Sequence, residues 1–159
     1  MKTRFVWLSL GAFALGLTVL SIYRVWPILF PPIVTIAPLV PGCDLRQGPC
    51  TASLPEGGKV RFGIEPRSIP VLQPLVLSVS IEGIGVHVVE VDFSGTDMNM
   101  GYNRVQLEAA DSGDWQGQVT LPICVRNRMD WEAKVLLSTE LGLMAVPFRF
   151  ITFSSPFEG

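Results

Sequence analysis

The stretch that decides the fold reads His87-Val88-Val89-Glu90-Val91-Asp92-Phe93. Its odd-numbered residues would share one face of a β-strand, and Glu90 and Asp92 would lie on the opposite face. Successive side chains of a strand point to opposite faces, so this alternation predicts a strand with one buried face and one solvated face.

The same two-residue period recurs in six further runs after Lys59. They cover residues 60–64, 75–81, 105–109, 115–121, 131–137 and 144–150. Turn signals separate the runs about every ten residues, as in antiparallel sandwiches. The pattern therefore predicts an all-β fold, a seven-stranded immunoglobulin-like β-sandwich over residues 59–159. Pro147 in the last run predicts an edge position or a bulge.

An apolar segment precedes this domain. Lys2 and Arg4 are followed by an uncharged run over residues 5–23. As a helix this run would rise about 28 Å, close to the roughly 30 Å hydrocarbon core of a bilayer. We expect residues 1–24 to be a single transmembrane anchor with a cytoplasmic N-terminus, because positive charges stay inside. The β domain would then lie in the periplasm, on the inner membrane of a Gram-negative cell.

Two other interpretations of the N-terminal region exist. A cleaved signal peptide needs small residues at its cleavage site, whereas residues 21–26 include bulky Tyr23 and Trp26. Residues 39–43 loosely resemble the lipobox of a lipoprotein, but Pro41 and the distance from the apolar run disfavour that reading. An uncleaved anchor fits the sequence best.

Prolines recur through residues 25–58, which excludes a continuous helix and central strands there. We expect a semi-rigid spacer, in which residues 33–40 form a short edge strand or lie on the membrane surface. Cys43 and Cys50 bracket a turn, and a disulfide between them would stabilise the fold by about 2–3 kcal/mol. Pairing of Cys43 with Cys124 remains an open alternative.

Residues 96–101 read Thr-Asp-Met-Asn-Met-Gly and form the main functional signal. Thioether sulfurs are soft ligands that suit Cu(I). Alternate loops of an antiparallel domain emerge at one end, so the loop that holds Met98 and Met100 should meet the loop that holds Cys124 and Met129. The sequence predicts a copper site of these four residues, with the Cys124 thiolate as the strong ligand.

Each of these sulfurs also has a packing explanation. Met98 and Met100 have the same parity and could plug the end of the sandwich, and Met129 could pack beside Trp131. Cys124 could be a small buried hydrophobe. His87 lies roughly 20 Å from the loop at strand spacing, and we therefore leave it out of the site.

Several function classes are disfavoured. The net charge of −2, with scattered signs and no basic stripe, argues against nucleic-acid binding. The chain has no Gly-rich phosphate loop, G-x-S-x-G, H-E-x-x-H or C-x-x-C motif. The single histidine is far from Cys124, the candidate nucleophile. We therefore expect no enzymatic activity.

The anchor, the β domain and the Met98-Asn99-Met100-Gly101 loop together resemble the YtkA-like and FixH-like periplasmic domains. Residues 113–119 read Gly-Asp-Trp-Gln-Gly-Gln-Val, are followed by Leu121-Pro122, and look like the G-x-W-x-G-x-V strand of those domains. The resemblance covers residues 59–153. It implies a role in copper handling or haem-copper oxidase maturation, with inner-membrane copper-handling or oxidase-assembly proteins as partners.

The leading hypothesis is thus a membrane-anchored periplasmic module that holds or relays Cu(I). The alternative is a structural adaptor without metal, an immunoglobulin-like domain that docks on a membrane protein complex. In that case the sulfurs only pack, and Pro147 and the Pro-rich spacer are interface features.

Overall fold

The structure, a computed structural model, describes residues 2–29, 33–55, 57–98, 100–111, 113–123 and 127–153. These residues contain one α-helix and nine β-strands. The chain divides into two compact units, Met1–Pro32 and Ile33–Gly159. The elements are α1 (Lys2–Leu29), β1 (Ile33–Ile36), β2 (Cys50–Ser53), β3 (Lys59–Glu65), β4 (Pro74–Glu82), β5 (Val88–Gly95), β6 (Arg104–Ala109), β7 (Trp115–Thr120), β8 (Arg128–Thr139) and β9 (Gly142–Phe153).

Helix α1 forms the first unit. Its segment Val6–Trp26 is long and apolar enough, by length and composition, to cross a membrane. The helix continues to Leu29, a few residues past the expected boundary at residue 24. Pro27 lies in its last turn, where a missing backbone N–H interrupts the hydrogen-bond ladder, so the helix ends soon afterwards. The expected apolar N-terminal helix is confirmed.

The second unit is a curled sheet in the order β1-β9-β8-β5-β6-β7-β4-β3-β2. Neighbouring strands are antiparallel except β1 and β9, which are parallel. Strand β6 pairs with β5 through Val105 and Leu107, and then with β7 through Glu108 and Ala109. The sheet therefore turns at β6, and the ring of Phe62 in β3 lies 5.3 Å from that of Phe148 in β9, counted between centroids.

Much of the core is formed by side chains that the two-residue period predicts. Residues with no exposed surface include Val60, Phe62, Leu75, Leu77, Val79, Val89, Val91, Phe93, Ala133, Val135, Leu137 and Val146. Fully burying one such large aliphatic or aromatic side chain contributes about 1.5–3 kcal/mol. His87 differs from the expectation: its side chain is exposed and it precedes β5, although its backbone N–H still donates a hydrogen bond to the carbonyl oxygen of Ser138 (2.9 Å).

The sheet has nine strands in the described residues, whereas the alternation predicted seven. The seven predicted runs lie in or next to β3 to β9. The two additional strands come from residues 25–58, the expected spacer: β1, which was one of two alternatives there, and β2, which pairs with β3. Both are outermost strands, the positions that tolerate prolines nearby.

The loop between β1 and β2 is fastened to the domain. Cys43 and Cys50 form a disulfide with their Cα atoms 5.8 Å apart, which confirms the expected pairing. Leu45 inside this loop is buried in the core. The segment after Ile33 therefore belongs to the folded unit.

Pro147 lies where β9 has one paired side. Strand β9 pairs with β8 along its whole length but with β1 only at residues 143–145. At Pro147, opposite Lys134, the described strands leave the second side of β9 open. This is the edge position that the sequence predicts, and a residue without a backbone N–H costs no ladder hydrogen bond there.

Candidate metal centre

The site lies where β5 ends and β8 begins. Gly95, the last residue of β5, is opposite Trp131 in β8. The backbone N–H of Thr96 donates a hydrogen bond to the carbonyl oxygen of Asp130 (3.0 Å), and its hydroxyl donates to the same oxygen (3.3 Å). The loop that follows β5 is thus fastened to the first residues of β8, and the two share one end of the sheet.

Three methionines converge on Gly95. A Cβ atom at this position would collide with the Met129 methyl group, and it would lie 2.5 Å from the Met98 carbonyl oxygen and 3.2 Å from Met100 Cγ. Atoms from three separate residues therefore lie against the glycine α-carbon. A residue with a side chain would have to displace at least one of them.

The three methionines differ in exposure. Met129 is buried, with 4% of its surface exposed, and belongs to the core. Met98 and Met100 are partly buried, pack against the core, and line an open depression of about 430 Å³. Thr96 and Asp97 also line this depression. Two side chains are therefore reachable from solvent, and the third lies beneath Gly95.

Backbone contacts hold the second half of the loop. The Asn103 side-chain amide donates to the carbonyl oxygen of Met100 (2.9 Å), and the N–H of Phe93 donates to the carbonyl oxygen of Asn103 (2.8 Å). Gly101 has φ +78°, a left-handed conformation that glycine adopts without steric cost. Asn103 therefore links the backbone of Met100 to strand β5.

The structure brings together Met98, Met100 and Met129 of the four predicted ligands. Cys124 lies outside the described residues, directly after exposed Ile123. His87 lies before β5, so the full length of that strand separates it from the loop. Among the residues that the structure describes, no group of three or more His, Cys, Asp or Glu could hold a metal ion. The side chains grouped at this end are those of methionines, next to the exposed carboxylate of Asp97.

A neighbouring depression of about 440 Å³ is lined by Cys43, Thr96 and several charged residues. Its charged side chains have partners within the chain: Arg149 pairs with Glu132 (3.3 Å), and Asp130 pairs with Arg128 (3.0 Å). Arg46 lies over the Phe153 ring, 5.2 Å from its centroid. Contacts within the chain therefore account for the charged side chains of Arg149, Asp130 and Arg46.

Gly95 is the site residue that the sequence interpretation missed. A glycine inside a strand pattern often marks the close approach of another group, and Gly95 closes a strand next to the methionine loop. That signal was present in the sequence, but the identity of the approaching groups depends on how β5 and β8 pack.

No family model matches the chain, and no curated protein or solved structure matches it. Its function therefore has to be argued from the site itself.

Proposed function

We propose that this chain is a membrane-anchored protein whose β domain binds or relays Cu(I) through Met98, Met100 and Cys124. The observation that carries the proposal is the convergence of three methionines on Gly95, with Met98 and Met100 facing an open depression. Soft thioethers suit Cu(I) and poorly suit magnesium, calcium or manganese. Thioether ligands are weak and exchangeable, which suits an ion that is passed on.

The charge balance of this ligand set favours a monovalent ion. Cys124 as a thiolate would carry one negative charge, and the two thioethers are neutral, so the complex with Cu(I) would be neutral. Asp97 in the same depression adds an exposed carboxylate that attracts cations. Met129 is buried, and we assign it the role of supporting the loop from beneath Gly95 rather than that of an accessible ligand.

The proposal includes location and architecture. The apolar helix supports an inner-membrane anchor with the β domain in the periplasm, and the Cys43–Cys50 disulfide supports an oxidising compartment. The curled sheet, with its core between β3 and β9, supports an immunoglobulin-like sandwich like that of YtkA-like and FixH-like domains. The partners would be inner-membrane copper-handling or oxidase-assembly proteins.

The test is a Cu(I) competition titration of the full chain in detergent against a chromogenic Cu(I) chelator. Ascorbate should keep the copper reduced, because a thiol reductant would open the disulfide and add two soft ligands. We expect Met98→Leu/Met100→Leu to weaken binding about tenfold or more, which corresponds to about 1.4 kcal/mol. Met144→Leu is the matched control: Met144 is equally apolar but buried in β9, and its replacement should leave the affinity unchanged.

Thiol alkylation provides the second measurement. With the disulfide intact, Cys124 is the one remaining cysteine, and bound copper should slow its alkylation. An unchanged affinity in the double methionine variant would remove Met98 and Met100 from the site. Alkylation of Cys124 at the same rate with and without copper would remove the thiolate.

The second candidate function is the structural adaptor. It is favoured by the packing of Met98 and Met100 against the core, which gives both side chains a role without metal. A variant with Met98, Met100 and Cys124 all replaced would then still bind its membrane partner, and cells carrying it would tolerate copper normally. Loss of copper tolerance in such cells favours the metal site instead.

A further inference from the structure

Four large aliphatic side chains are exposed along one border of the β domain. Ile33, Ile36 and Leu39 are 44%, 67% and 41% exposed, and Leu141 is 74% exposed. Strand β1 is the outermost strand of the sheet beside β9, and its Ile33 pairs with Leu143. Leu141 lies two residues before Leu143, in the turn between β8 and β9. We call Ile33, Ile36, Leu39 and Leu141 the apolar edge.

The apolar edge continues into a groove of about 380 Å³. Ala145 and Pro147 line this groove with Ile33, Ile36 and Leu39, and Glu132 and Lys134 border it. The two charged groups form an ion pair (3.3 Å). Glu132 also pairs with Arg149 (3.3 Å), so the groove offers apolar surface whose bordering charges have partners within the chain.

We propose that the apolar edge lies against the lipid surface of the membrane that anchors the chain. The proposal rests on the proposed membrane anchor. The candidate span ends at Trp26, the helix rises about 4.5 Å from there to Leu29, and the chain from Leu29 to Ile33 reaches at most about 14 Å when fully extended. Covalent length alone therefore keeps Ile33 within about 19 Å of the end of the span, and exposed apolar surface of this kind marks membrane or protein contact sites.

A lipid surface can also solvate the unpaired backbone groups on the outer side of β1. An outermost strand presents unpaired N–H and C=O groups, which natural proteins cover or keep solvated. Headgroups and interfacial water can solvate these groups, while the apolar side chains of the edge reach towards the acyl chains. Exposed Glu140 next to Leu141 is acidic, and Lys134 is paired, so we expect apolar contact rather than attraction to anionic lipid.

The test measures lipid contact of single labelled positions in the full chain, reconstituted in phosphatidylcholine nanodiscs. Cys124→Ser removes the free thiol, and the Cys43–Cys50 disulfide stays intact. An environment-sensitive fluorophore is attached after Leu141→Cys or after Ile36→Cys. Leu72→Cys is the matched control: Leu72 is a 58% exposed leucine before β4, hydrogen-bonded to Leu121 at the opposite end of the domain.

Lipids that carry a nitroxide on the acyl chain should quench the labels at positions 141 and 36 several-fold more than the label at position 72. This difference should persist at high salt and without anionic lipid. Equal quenching at all three positions overturns the proposal. Loss of the difference at high salt overturns it as well, because the contact would then depend on charge.

The label at position 36 could also report an apolar environment in detergent, more strongly at higher protein concentration. This result would mean that a second copy of the chain covers the apolar edge, and it overturns the lipid contact. A chain that fails to copurify with the discs overturns the anchor together with the docking. A chain that copurifies with unquenched labels overturns the docking alone and leaves the Cu(I) proposal intact.

Discussion

At the scale of single residues, the grouping of three methionines was predictable from the sequence, but the glycine between them was not. Antiparallel alternation predicts that Met98, Met100 and Met129 lie at one end, and the structure brings these three together. The glycine on which they converge was not identified. Its neighbours come from β8 and from the following loop, and local sequence carries no information about such a crossing.

Gly95→Ala should destabilise the protein. The added methyl group would collide with Met129 and with the backbone of Met98, and overpacking of this kind costs about 1–3 kcal/mol. Urea unfolding of the full chain in detergent measures the change. Gly85→Ala is the control, since a Cβ there meets no atom within 4 Å. Equal stability of the two variants would contradict the crowding at Gly95.

Thr152→Val should destabilise the protein by about 1–3 kcal/mol, because it leaves a buried donor unpaired. The Trp131 indole N–H donates to the Thr152 hydroxyl (3.0 Å), and both residues are buried. Thr152→Ser keeps the hydroxyl and serves as the control in the same urea experiment. If the valine variant is at least as stable as the serine variant, the hydrogen bond contributes nothing.

At the scale of elements, alternation located the seven strands with strong periodicity, whereas β1 was only one of two alternatives for its segment and β2 was missed. Strand β2, Cys50–Ser53, contains no alternating run of large apolar residues. It becomes a strand because the outer side of β3 offers it hydrogen-bonding partners, a cause that lies elsewhere in the chain. Pro147 could be assigned to an edge from sequence, since the missing N–H is a local property.

The double substitution Cys43→Ser/Cys50→Ser should lower the free energy of unfolding by about 2–3 kcal/mol in the chain-entropy model. The disulfide closes the loop that carries buried Leu45 between β1 and β2. Thermal unfolding of the full chain in detergent measures the loss. The unsubstituted full chain is the control. A double variant as stable as this control would show that packing of Leu45 suffices to hold the loop.

At the scale of the whole molecule, the sequence predicts a β-rich domain behind an apolar helix, and the structure has both. The sequence did not predict the order of the strands in the sheet. Strand β4 has β3 and β7 as neighbours, and β5 lies between β6 and β8. Such non-consecutive pairs follow from the closure of the core, which two-residue periodicity does not encode.

Residues 33–159 should fold without the helix, because the chain divides into two compact units at this boundary. We expect the isolated segment to unfold in urea at the same midpoint as the full chain in detergent and to keep its β-type circular dichroism spectrum. A molten or aggregated segment would mean that the helix contributes to the folding of the sheet.

The register of the strands sets the distance between the methionine loop and the row of residues that contains Ile33. Ile33, Leu143, Ser138 and Val88 form one row across four strands, whereas Gly95 lies seven positions further along β5. At about 3.3 Å per residue, the methionine loop is about 23 Å from the row at which the chain joins the domain. The proposed exchange of Cu(I) would therefore take place at the end of the strands opposite Ile33, and a partner would have to present its copper ligands at that end of the β domain.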